Sequence, residues 1–424
     1  MESLIQDFKF GLRMLVKHPG VAGIAVTALA LGLGLTTTMF SIIEGAILKG
    51  LPFPEADRLI AIERTNLTQG QNRQSAPVSD FTDWRSEQHS FEDIAGYYNG
   101  TVNLSGKDGG PERVSGAFIT PNLFKVLQQQ PAMGRALTEE ENDPNGPRAI
   151  VIGAGVWRRR YGADPNILGK TLRANGTDMT IVGVMPANFM YPQQEEVWMP
   201  LRMDPVKLGR NNGNFLQVVG RLRRGVSQDQ AMLEFAGIAR QLAQQYPESN
   251  KDIGVRMESL VDQSIGPEPR ALLFTMLGAV FGVLLIACSN VANLLLARAT
   301  ARSREVAIRT ALGAGRWRVV SQLLMETLVL AGVGGVLGLG IAQLGTMWFS
   351  RAIIEGNPPY WIDIHVDGVV LAFVTGVTLL SAVIAGIVPA LQVSAGNVSN
   401  ALKDEARGSS SLKMGKFSRS LVIA

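Results

Sequence analysis

Residues 297–328 read ARATARSREVAIRTALGAGRWRVVSQLLMETL, and the fold turns on which side of a membrane this stretch lies. Arg298, Arg302, Arg304, Arg309, Arg316 and Arg318 crowd together there against Glu305. Apolar runs flank them, Ala271–Ala297 before and Val319–Phe349 after. Each is long enough to cross a bilayer, which takes about 20 helical residues. Two further runs of that kind, Val21–Leu48 and Val369–Val393, bring the prediction to four transmembrane helices. Positive residues in short loops stay cytoplasmic. The arginine cluster therefore faces the cytoplasm, as does the tail with Lys403, Arg407, Lys413, Lys416 and Arg419. The connection between the third and fourth runs holds Arg351 against Glu355, Asp363 and Asp367, so it falls outside. Both termini are then cytoplasmic, and residues 49–270 form one large extracytoplasmic block.

Composition agrees with this division. Hydrophobic residues make up 46% of the 424 and charged residues 18%, where a soluble domain carries nearer one quarter charged. The formal charge of +4 is explained by topology and gives no reason to expect nucleic acid. The lone cysteine, Cys288, lies in an apolar run and excludes a disulfide framework. Lys9, Arg13 and Lys17 ahead of the first run resemble the start of a signal peptide. The apolar core that follows is about twice the usual 7–15 residues, which favours an uncleaved anchor. Small residues recur in the runs, among them Gly32, Gly34, Gly334 and Gly338, and they let helix backbones approach closely in lipid. Pro389 predicts a kink near the inner end of the fourth helix.

The outer block reads as α+β with two subdomains, residues of about 116–212 forming an insertion. Leu59–Glu63, Ala149–Ile152, Met179–Val184 and Phe215–Leu222 have the β-branched, turn-bounded character of strands. In Ser227–Tyr246 the residues Ala231, Phe235, Ile238 and Leu242 recur at helical spacing, with Ser227 and Gln230 placed for a capping box. A second helix is expected from Pro121 after a Thr120 cap. No catalytic constellation emerges. Six residues separate Gly162 from Gly169 before Lys170-Thr171, where a phosphate loop needs four, so Gly169 reads as a turn into a strand. Glu139, Glu140, Glu141 and Asp143 read as a solvated cap or turn. His18, His89 and His365 are far apart, which suggests neither a triad nor a metal site.

The arginine-rich stretch offers two readings. It is a loop whose arginines meet anionic headgroups of membrane lipid, or a helical elbow on which a cytoplasmic partner docks. For the second, Arg302, Glu305 and Arg309 can pair along one helix face, while Ile308 and Leu312 supply apolar contact before Gly313 allows a turn.

Arg304-Glu305-Val306-Ala307-Ile308-Arg309-Thr310-Ala311-Leu312-Gly313-Ala314 resembles the signature of the FtsX-like permease domain. The outer block resembles the periplasmic core of MacB-like permeases through Leu51-Pro52-Phe53-Pro54, Ser115-Gly116 to Phe124, Gly134-Arg135, Ile181 to Pro186, and Gly220-Arg221-Leu222. Leu15 to Gly20, and a tail from Phe417 to Ala424, resemble duplicated permeases of this superfamily, which implies the first of two units. A departure is Gln128, where relatives usually carry a glycine. The resemblance implies residues 1–20 as a cytoplasmic lead, a first helix 21–48 and a MacB-like core 49–270. An FtsX-like domain 271–393 then holds helices 271–297, 319–349 and 369–393, and 394–424 is a cytoplasmic tail. It implies an inner-membrane permease subunit of an ABC transporter, with no enzyme activity or cofactor in this chain. ATP and Mg²⁺ would be bound by a separate cytoplasmic ATPase docked on the elbow. A second permease unit, by homodimer or missing half, and a periplasmic adaptor are the other implied partners. The alternative within the family is an FtsX-like signal transducer that activates a periplasmic partner without transport.

Overall fold

The structure, a computed structural model, describes residues 11, 13, 15, 17, 19–66, 68–106, 110–203, 209, 210, 212–301, 316–354 and 360–395. It divides into two compact units: Met1–Leu48, Glu268–Ile353 and Ile364–Ala424 in one, Lys49–Pro267 and Ile354–Asp363 in the other.

Eleven α-helices and twelve strands are described, with a π-helical turn at Glu44–Leu48 and a 3-10 turn at Ala56–Arg58. The helices are α1 (Pro19–Ile43), α2 (Val78–Glu87), α3 (Leu123–Val126), α4 (Glu139–Asn142), α5 (Ala154–Tyr161) and α6 (Gln228–Gln245). They continue with α7 (Pro247–Asn250), α8 (Leu260–Ile265), α9 (Pro267–Ala301), α10 (Arg316–Ile354) and α11 (Gly368–Ala395). The strands are β1 (Leu59–Asn66), β2 (Gln71–Gln74), β3 (Ala76–Pro77), β4 (Phe91–Ser105), β5 (Glu112–Ile119) and β6 (Met133–Gly134). The rest are β7 (Ala149–Gly153), β8 (Thr171–Ala174), β9 (Thr177–Met185), β10 (Val197–Pro200), β11 (Phe215–Leu222) and β12 (Ile253–Ser259).

All twelve strands belong to the outer unit and join in one sheet, ordered β12-β1-β11-β4-β5-β10-β7-β9-β6 along its main path. Pairing is antiparallel except for β10 with β5 and β7 with β9. Side chains alternate between the faces of a strand, and here the alternation sorts three cores. On one face a continuous core runs through Leu59, Ala61, Val219, Ala95, Tyr97, Ile119, Trp198 and Val151. On the other face the apolar residues fall into two groups. Ile60, Ile62 and Val218 pack under α2 and α6 through Trp84 and Phe235. Val102, Ile150, Ile152 and Ile181 pack with Val156 of α5. Two subdomains are thus visible on one face only. The antiparallel pair β4–β5 joins the strands of residues 116–212 to the rest of the sheet, and Lys49–Pro267 falls in one compact unit.

Local chemistry explains most elements. Ser227 Oγ accepts from the Gln230 N–H at 3.2 Å while Gln230 Oε1 accepts from the Ser227 N–H, closing the capping box of α6. Gly169 turns at φ +81° and β8 begins two residues later. Thr120 departs from expectation: its hydroxyl accepts from the Gly96 N–H at 3.1 Å and caps nothing, and α3 lasts one turn. The acidic run does form a cap, Glu141 Oε2 accepting from the Thr138 N–H at 2.8 Å, but Glu141 is buried and bonded to Arg135 at 2.6 Å, not solvated.

Two of the resembling motifs meet at Arg221, which is almost fully buried. Its Nε donates to the Val126 carbonyl at 2.7 Å and its Nη1 to the Pro54 carbonyl at 3.0 Å. The guanidinium thereby ties β11 to the C-terminus of α3 and to the loop before β1. Next to this knot Gln128 stands at φ +53° with its N–H on the Lys125 carbonyl, the left-handed position that commonly ends a helix at glycine. A side chain in that conformation costs about 1–2 kcal/mol. Gln128→Gly is expected to stabilise the outer unit by about 1 kcal/mol, read as a rise in melting temperature of the purified chain; an unchanged or lowered temperature contradicts the strain.

Candidate functional site

Among the described residues, four helices are long and apolar enough to cross a membrane: Pro19–Leu48, Pro267–Arg298, Val320–Ile353 and Gly368–Ile387 by their apolar parts. Helix α9 runs 35 residues and α10 runs 39, so each overruns the roughly 20 residues that span a bilayer.

In lipid, apolar side chains gain little by meeting each other, and association rests on close packing. Helix α1 is the most enclosed of the four. A Cβ added at Gly32 would lie 2.9 Å from Leu284 of α9. One at Gly34 would lie 3.0 Å from the Gly338 carbonyl of α10, and one at Gly338 would lie 3.0 Å from the Gly34 nitrogen. Gly334 faces Leu29 in the same way, at 2.9 Å. These four glycines therefore bring α1 against α9 and α10 within the chain. Phe40 stacks on Phe373 of α11 with ring centroids 3.8 Å apart. Pro389 lies inside α11, which continues through it to Ala395.

The expected docking residues Arg302, Glu305, Ile308, Arg309, Leu312 and Gly313 lie outside the described residues. Their flanks are described. Arg298, near the end of α9, pairs with buried Glu326 of α10 at 3.7 Å. Sequence reading passed over Glu326 because it sits singly in an apolar run; a carboxylate inside a predicted span is the signal that could have found it.

In the outer unit the connection before α11 supplies a second unforeseen element. Trp361 is buried in the continuous core, with Tyr360 and Ile362 beside it. The Tyr360 N–H donates to the Gln193 carbonyl at 3.0 Å, and the Tyr360 ring lies near Phe189. Tyr191 and Tyr97 join hydroxyl to hydroxyl at 3.1 Å, and burial pushes both phenols up, holding them neutral. Glu195 is buried and its carboxyl is raised by that burial, against backbone hydrogen bonds such as that from the Gln193 N–H at 2.6 Å. Among the described residues no cluster of His, Cys, Asp and Glu could hold a metal ion.

Two family descriptions match the chain. The MacB-like periplasmic core domain covers residues 22–238, about half of it, and the FtsX-like permease C-terminal domain covers 277–398. The chain belongs to the MacB/FtsX-like permeases of ABC transporters, membrane proteins with a periplasmic-type α/β domain. It is 25% identical over 227 residues to the pyoverdine export ATP-binding/permease protein PvdT of Pseudomonas entomophila, covering 52% of this chain and 34% of that one. It is 27% identical over 248 residues to the macrolide export ATP-binding/permease protein MacB of Salmonella typhimurium, covering 57% and 35%. The chain thus spans about a third of the length of these relatives, whose names join an ATP-binding part to a permease part. The periplasmic region of MacB from Actinobacillus actinomycetemcomitans overlies 53% of this chain and 95% of that structure, at 16% identity and a TM-score of 0.37.

The helix contacts generate a paired test. Gly338 has backbone of α1 within 3.0 Å of an added Cβ, while Gly340, two residues on, has nothing within 4 Å. Gly338→Val is expected to destabilise the helix unit by about 1–3 kcal/mol through overpacking, and Gly340→Val to leave it unchanged. Melting in detergent checks both; equal effects contradict the α1–α10 contact.

Proposed function

We propose that this chain is the transmembrane subunit of an export system in the bacterial inner membrane. It couples ATP hydrolysis by a separate cytoplasmic ATPase to movement of its periplasmic domain. The observation that carries this reading is continuity along α9. Gly266 alone separates α8 of the outer unit from this 35-residue helix, whose other end leads into the arginine-rich segment. A displacement imposed there travels along a rod of roughly 50 Å, at 1.5 Å per residue. A second path runs through α10, which leads to the segment that holds Trp361 in the outer core.

Orientation has support besides the arginines. Ile354–Asp363 belongs to the same compact unit as Lys49–Pro267. Segments that pack together lie on one side of the membrane, so residues 302–315, one crossing away, lie on the other. Both termini are then cytoplasmic, in agreement with the charge bias. In the docking elbow, Ile308 and Leu312 supply the apolar contact, and Arg302, Glu305 and Arg309 order the helix and complement an acidic partner. Gly313 allows the turn into α10. A second permease unit completes the transporter, with a periplasmic adaptor engaging the outer domain.

Leu312→Asp places a charge in the apolar contact. It is expected to abolish co-purification of the ATPase while the permease remains in the membrane at wild-type level. Undiminished recruitment would reject the elbow. A reporter fused near residue 150 is expected to be periplasmic, and a cytoplasmic signal would overturn the topology.

A further inference from the structure

Helix α10 carries a single carboxylate, and it lies inside the part that crosses the membrane. Glu326 stands well past Val320, where the apolar run begins, and is only 6% exposed. A charge at that depth is costly and points to a task. At this level α10 is enclosed from three sides. A Cβ added at Gly11 would lie 3.7 Å from the Glu326 Cα, and one at Gly386 of α11 would lie 2.8 Å from the Thr327 hydroxyl. From α9, Arg298 brings its Nη1 to 3.7 Å from the Glu326 carboxylate. Glu326 therefore faces protein, and Arg298 supplies its counter-charge.

Two apolar side chains would fill the same space at lower cost, because charges must be stripped of water before they attract each other. What the pair adds is register. Among the described glycines, the close approaches fix α1 against α9 and α10, and α10 against α11. None of them joins α9 to α10. Gly278 and Gly282 of α9 have nothing within 4 Å of an added Cβ. Val291 and Leu295 of α9 share an apolar cluster with Leu330 and Ala331 of α10. Apolar contact is non-directional, so it resists sliding poorly. Fixing register is the best attested use of a buried polar pair. The pair also brackets residues 299–325, which hold the whole docking elbow.

We propose that the Arg298–Glu326 pair sets the axial register of α9 against α10 and so aligns the two limbs of the elbow for the ATPase. Glu326 is then a positioning residue for coupling. The role in alignment rests on the docking reading above, and the role in register does not. A slip of one helical turn, about 5.4 Å, carries one limb out of hydrogen-bond reach of a partner seated on the other.

Register is measured on the full chain in lipid nanodiscs without ATPase, so its failure is distinct from failure of the docking reading. In a Cys288→Ser background, spin labels are placed at Leu272→Cys on α9 and Val336→Cys on α10, both exposed positions. Their separation along the helix axes makes the distance sensitive to sliding. The parent is expected to give one narrow distance distribution. Glu326→Gln is expected to broaden it or shift it by about 5 Å, and Arg298→Glu combined with Glu326→Arg to restore it. Arg298→Met combined with Glu326→Met leaves no charge unpaired. It is expected to melt no lower than the parent and still to lose the register, which separates positioning from stability. With ATPase added, Glu326→Gln and the double methionine variant are expected to lower co-purification about tenfold, and the charge swap to recover it. An unchanged distribution in Glu326→Gln and in the double methionine variant overturns the proposal. So does a charge swap that restores nothing, or full recruitment once register is lost. A parent that recruits no ATPase, with distances as expected, sinks the docking reading and leaves the register in place.

Discussion

Gly34 and Gly338 meet backbone to backbone, and the helix unit depends on that closeness. Apolar burial, which drives soluble domains together, has little to offer between helices already dissolved in hydrocarbon. What remains is dispersion between surfaces that fit, and it falls off steeply with any gap. Glycines at Gly32, Gly34, Gly334 and Gly338 remove the side chains that would hold α1 away from α9 and α10. Helix α1 can then occupy the enclosed position. Gly335 and Gly386 do the same between α10 and α11, against Thr378 and Thr327.

The outer unit obeys the opposite rule, since water surrounds it and burial is the driving force. The chain has one cysteine, so no disulfide contributes to holding the sheet. Its cohesion comes from a core that crosses the whole sheet on one face. Trp198, Phe124 and Phe189 lie within 6.2 Å of one another by ring centroids, in the edge and tilted arrangements aromatic pairs prefer. Arg221 adds polar connections where apolar ones cannot reach, satisfying the carbonyl that α3 leaves open at its C-terminus.

How much of this was legible in the sequence depended on the range of the interaction. The four spans could be read because lipid demands long uninterrupted apolar runs, and nothing distant alters that. The capping box of Ser227 and Gln230 and the turn at Gly169 could be read for the same reason, being local. The helices extend beyond the apolar runs because backbone bonding continues after the lipid ends, as at Ala301 and Arg316. The Thr120 cap failed because Gly96, 24 residues away, competes for the hydroxyl. Burial of Glu141 could not be read either, since its run resembles a solvated turn until Arg135 folds onto it.

The segment around Trp361 shows the same limit in its strongest form. Tyr360-Trp361-Ile362 is too short for any periodicity, and its neighbours are polar, so it reads as loop. Its meaning comes from Phe189, Tyr191 and Gln193, more than 160 residues earlier, which no local pattern connects to it. A connection that merely joined two helices would have no reason to bury a tryptophan in the core under the sheet. Ordering such a side chain costs conformational entropy, offset here by burial that stabilises by about 1.5–3 kcal/mol for a large apolar group. That burial makes Ile354–Asp363 part of the same compact unit as Lys49–Pro267.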